Sequence, residues 1–136
     1  MDAESRESTR VLEAIAKCNE QFIALSHWLR SSGYKGVTQG VDCRAYETGT
    51  MLEAYVEAEL SDGRIICWWL DISWNQASWR IASSVVLNND DGQEVLKSFP
   101  DKTPITLSDF VDQLQEASSD LVGQANSLNT IQGFQG

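Results

Sequence analysis

The chain has 136 residues, 42% of them hydrophobic and 22% charged. That composition is ordinary for a globular protein, argues against disorder and fits one domain, 1–136, with a sizeable core. Twenty acids against ten bases leave a net charge of −10, and because residues 1–35 hold five of each, the whole excess lies after residue 35; such a field repels nucleic acid and anionic membrane and attracts basic partners.

The first predicted element is a helix from about Asp2 to Ser31. Val11, Ile15, Cys18, Phe22, Leu25 and Leu29 are spaced three or four apart and form one apolar stripe. Gly33 in "SSGYKG" is placed to cap it. From Gly36 the period changes to two. "GVTQGVDCRAYE" reads as a weak strand interrupted by Gly40. "TMLEAYVEAEL" follows, with Leu52, Ala54, Val56, Ala58 and Leu60 on one face and Met51, Glu53, Tyr55, Glu57 and Glu59 on the other. "SDGR" closes a hairpin.

The next two strands hold four of the chain's five tryptophans. In "IICWWLDISW" one face carries Ile66, Trp68, Leu70, Ile72 and Trp74, and the other carries Ile65, Cys67, Trp69, Asp71 and Ser73. "NQAS" turns the chain into "WRIASSVVL", where Trp79, Ile81, Ser83, Val85 and Leu87 alternate with Arg80, Ala82, Ser84 and Val86. "NNDDG" is a turn, and "QEVLKSF" is a short last strand stopped by Pro100. A final helix begins at Thr106, which caps it with Asp109 three residues on. Ile105 and Phe110 stand at the positions of a hydrophobic staple. Its stripe is Leu107, Val111, Leu114, Ser118, Leu121, Ala125 and Leu128, and residues 129–136 read as a frayed tail.

Helix, antiparallel meander of four to five strands, helix: this order predicts a two-layer α+β fold with both helices on one sheet face. That face should carry Leu52, Val56, Leu60, Ile66, Trp68, Leu70, Ile72, Trp79, Ile81, Val85 and Leu87. Trp68, Trp74 and Trp79 then belong to the core or its edge. Trp69 points to the opposite face, among Tyr55, Ile65, Cys67 and carboxylates. A sheet face that is only solvated has no reason to carry Trp and Ile. Two readings stay open. The face is covered by the chain itself or by a homodimer mate, or it is a binding site with aromatic anchors in an acidic ring.

No catalytic signature stands out. The single histidine, His27, has no second histidine at ligand spacing, and Cys18 lies too far back along the helix to pair with it. The sequence contains no P-loop, GxGxxG or GxSxG. "NNDDGQE" fails as an EF-hand because Leu87 and Ser98 fall at ligand positions. Three widely spaced cysteines, Cys18, Cys43 and Cys67, fit neither a disulfide framework nor a zinc site. No metal or cofactor is expected.

No apolar run approaches the roughly 20 residues that span a bilayer. The polar "MDAESRESTR" does not read as a signal peptide, so a cytoplasmic location is expected. Size, acidity and the lack of a catalytic set point to a protein-binding module rather than an enzyme. The expected function is an immunity- or antitoxin-like inhibitor of a basic effector such as a nuclease toxin, with Glu53, Tyr55, Glu57, Glu59, Trp69 and Asp71 as the partner-binding residues. One alternative is a homodimeric chaperone similar in outline to the type III secretion class, holding an extended client; that class places a helix amid its strands, and none is read between Gly36 and Phe99. Another is a ligand-binding protein or enzyme with a cavity between helices and sheet. Bacterial and cytosolic proteins are often acidic merely for solubility, so charge alone names no partner.

Overall fold

The computed structural model describes residues 3–46, 49–75 and 78–124. Helix α1 (Ala3–Ser31) is followed by strands β1 (Lys35–Tyr46), β2 (Gly49–Glu59), β3 (Ile65–Asn75), β4 (Ser78–Asn89) and β5 (Gly92–Ser98), and then by helix α2 (Leu107–Gly123). The strands form one antiparallel sheet in the order β1-β2-β3-β4-β5. Short connections leave each strand no partner but its sequence neighbour, which makes the sheet a meander. Both helices pack on the same sheet face, α1 over β1 and β2, α2 over β3 and β4, and against each other. The result is the expected two-layer α+β fold. No helix among the described residues is long and apolar enough to cross a membrane.

The stripe of α1 turns inward as its spacing predicts. Cys18, Phe22, Leu25 and Leu29 are buried, and Val11 and Ile15 pack at the margin. The helix ends in a Schellman motif: the Tyr34 N–H donates to the Leu29 carbonyl at 3.1 Å, and the Gly33 N–H donates to that of Arg30 at 3.1 Å. This requires Gly33 at φ 94°, a left-handed backbone that a Cβ disfavours. Gly33→Ala is therefore expected to cost roughly 1 kcal/mol, read as a lower urea midpoint with an unchanged slope. An unchanged midpoint would mean that the cap contributes nothing to folding.

At the start of α2 the Thr106 hydroxyl accepts from the Asp109 N–H at 3.0 Å, the expected N-cap. The staple is not made. Ile105 stays 89% exposed, and Trp79 packs on Phe110 instead, with ring centroids 4.9 Å apart. A large aromatic from β4 occupies the position that the staple residue would fill. Ala125, Leu128, residues 129–136 and the middle of the "NQAS" turn lie outside the described residues.

Of the strand positions assigned to the core, Val56, Leu60, Ile66, Trp68, Leu70, Ile72, Ile81, Val85 and Leu87 are buried, while Leu52 and Trp79 pack at its rim. Trp68 is fully buried at the centre of the sheet, and its indole N–H has no hydrogen-bond partner. Trp74 packs against Trp79 with centroids 4.7 Å apart and planes tilted by 54°, so the Trp74–Trp79–Phe110 series closes one end of the core. Between the helices the Ser118 hydroxyl, fully buried, donates to Gln21 Oε1. A polar slot in the α2 stripe is thus satisfied from α1 rather than left orphaned.

Candidate protein-binding face

Strand alternation sends every second side chain of the sheet away from the helices, onto a face that no described element covers. Pairing aligns these side chains into rows across the strands. One row is Gly40, Tyr55, Trp69 and Ser84; on one side of it lies Thr38, Glu57, Cys67 and Val86, and on the other Asp42, Glu53, Asp71 and Ala82. Glu59 sits one row further out beside Ile65. All six residues predicted to bind a partner therefore share one face, and five of them occupy three adjacent rows.

The centre of the face is an aromatic platform. Tyr55 and Trp69 stack with centroids 6.2 Å apart and planes 27° from parallel. Tyr55 can lie flat because its neighbour in β1 is Gly40: a Cβ there would stand 2.6 Å from the tyrosine Oη. The sequence alone presents this glycine as an interruption of a weak strand. The structure makes β1 a full strand of 12 residues and Gly40 the seat of the tyrosine ring. The Trp69 indole N–H donates to Asp71 Oδ1, which fixes the ring's orientation.

Carboxylates flank the platform. Glu53 is only 9% exposed, and its Oε2 lies 4.0 Å from the Arg44 guanidinium. It stands directly across from Asp71, a like-charge pairing that destabilises a sheet. Burial chiefly holds the Asp71 carboxyl above its ordinary range. The Trp69 hydrogen bond opposes that shift, Glu53 adds to it, and Arg80 opposes it more weakly. Glu57 is half-buried and Glu59 exposed. Cys67, 1% exposed, and the buried Val86 form an apolar floor beside the platform. Burial first, then the charges of Glu57 and Asp71, push the Cys67 thiol up to about 12, so it stays protonated and unreactive. Sequence reading missed the contribution of β1 to this face, Gly40, Asp42 and Arg44. Their only signal was the alternation of that strand.

The raised Asp71 carboxyl has a consequence for stability. A group that holds its proton more tightly when folded favours the fold while protonated. That contribution is complete below the unfolded value and is lost as pH rises through the folded value. Asp71→Asn keeps an acceptor for Trp69 and removes the charge facing Glu53. Its urea midpoint is expected above that of the wild type at about pH 8, with the gap narrowing at about pH 4. A gap that widens on acidification would show that the Asp71 charge stabilises the fold.

Elsewhere, Trp74, Trp79, Thr103, Pro104, Ile105 and Leu107 line an open cleft of about 450 Å³. The two helices form a second, of about 390 Å³, around Leu25, Trp28 and Val122. His27 is exposed on α1, which lies on the opposite side of the sheet from the carboxylates of the open face. No cluster of three or more His, Cys, Asp or Glu side chains suited to a metal occurs among the described residues. No family model matches the chain, and no curated protein or solved structure does.

Proposed function

We propose that this chain is a protein-binding module that holds a basic partner on its open sheet face, as an immunity- or antitoxin-like inhibitor of a basic effector such as a nuclease toxin, acting in the cytoplasm. The observation that carries the reading is the Tyr55–Trp69 platform, flanked by the acid row Asp42–Glu53–Asp71 on one side and by Glu57 on the other, on a face left bare by both helices. Aromatic side chains supply anchoring area in interfaces at little conformational cost. The surrounding acids, within a net charge of −10, speed encounter with a cationic surface. The unfavourable Glu53–Asp71 pairing supports the same reading, since a cation seated across it would relieve the repulsion.

The test is a tagged pull-down from the source cell's lysate, washed at low and at high salt, with mass spectrometry on what remains. One basic protein retained at low salt and weakened at high salt is expected. Recovery of only acidic proteins, or of one partner whose binding ignores salt, would contradict the electrostatic part of the proposal.

A further inference from the structure

The two edges of the sheet are not alike. On the β5 side the edge is blunted. β5 has seven residues, carries Glu94 and Lys97, and meets β4 through a register shift at Val85/Val86. Where β5 ends, the following segment continues along β4: the Phe99 N–H donates to the Ser83 carbonyl, Ile81 and Lys102 exchange backbone hydrogen bonds at 2.8 and 2.9 Å, and Arg80 binds Asp101. On the β1 side the irregularity is confined to the first residues, between Lys35 and Thr38. From Thr38 to Tyr46 the strand is regular, lacks proline and carries only two charges, Asp42 and Arg44. On its helix side the end of this edge is bare: Val41 is 45% exposed, and Cys43 and Ala45 are also exposed. A long, regular, weakly charged edge is a template for strand pairing unless something occupies it.

We propose that the occupant is a second copy of this chain, paired antiparallel through β1 about a two-fold axis at Cys43 and perpendicular to the sheet. The charges select both partner and register. Centring on Cys43 places Asp42 opposite Arg44 of the partner subunit, and Arg44 opposite Asp42 of the partner subunit. Centring on Asp42 or on Arg44 instead sets like charges face to face, which is destabilising. In the chosen register the acid row Asp71–Glu53–Asp42 runs on into Arg44 of the partner subunit, while Arg44 keeps its own contact with Glu53 on the inner side. On the helix side Val41 meets Ala45 of the partner subunit, covering apolar surface that α1 leaves exposed. Two five-stranded sheets become one continuous sheet. The helices of both copies lie on one side, and both Tyr55–Trp69 platforms lie on the other.

Cys43 offers a direct readout, because the other two cysteines, Cys18 and Cys67, are buried. Directly opposed cross-strand residues have Cβ atoms about 4.5–5.5 Å apart, within reach of a short bismaleimide. The full chain should sediment at twice its 15.1 kDa at high concentration and dissociate on dilution. The bismaleimide should link it into a covalent dimer, and Cys43→Ser should abolish the link while leaving the dimer mass unchanged. Asp42→Arg should move the dissociation midpoint to at least roughly tenfold higher concentration, and Val41→Lys, on the exposed edge, should do the same. Circular dichroism on each variant checks that a change in association is not a loss of fold. A monomer at every concentration overturns the proposal. So does a dimer that does not link through Cys43, or one indifferent to both edge variants; either places the contact elsewhere, the open sheet face included.

Discussion

Trp69→Ala is expected to weaken binding of the basic partner by at least about 2 kcal/mol, roughly thirtyfold in Kd, while leaving the protein folded. The expectation rests on where the side chain stands. Trp69 is half-buried on the face away from the helices, stacked on Tyr55 and tied to Asp71 through its indole N–H. Its removal strips half of the platform and leaves Asp71 without its neutral donor, yet it opens no cavity in the main core, which lies on the other side of the sheet. Titration calorimetry with the captured partner measures the loss, and a far-UV spectrum with a cooperative urea transition shows that the fold persists. Trp69→Phe, which keeps a ring and loses the N–H, should fall between the two. If Trp69→Ala binds normally, the platform is not the anchor. If it cannot fold, the face is structural and the proposal for it fails.

The neighbouring residue should behave in the opposite way. Trp68→Ala is expected to cost about 3–5 kcal/mol of folding stability, because a fully buried indole at the centre of the sheet leaves a cavity that the surrounding strands and helices cannot close. Since small domains are stable by only about 5–15 kcal/mol, that is a large share of the total, and the variant should unfold at markedly lower urea concentration. Circular dichroism is the suitable probe, since the substitution removes a fluorophore. Whatever of Trp68→Ala remains folded should bind the partner with little change, because the side chain points away from the open face. The pair is informative because the two residues are adjacent and of one type: pleating alone divides them, one into the fold and one into the proposed site. Similar losses of stability in both variants would remove the distinction between core face and open face.

Much of this architecture was legible in the sequence, because it depends on local periodicity. The 3.6-residue stripe placed Phe22, Leu25 and Leu29 inward. Gly33 and Thr106 announced a helix end and a helix start through their own backbone and side-chain chemistry. The alternation of two placed Trp68 with the core and Trp69, Tyr55 and the carboxylates opposite. What only the tertiary structure decided depends on residues distant in the chain. Gly40 looks like a defect until Tyr55, fifteen positions on, is laid over it by strand pairing. Glu53 reads as one more surface acid, yet it is nearly buried across from Asp71 and beside Arg44. Ile105 reads as a staple, but Trp79 is the side chain that packs on Phe110. Which strand lies bare at an edge is likewise a property of pairing order and not of any one segment. Periodicity sets the face a side chain takes. The depth and company it finds there are set by the neighbours that folding brings across the sheet.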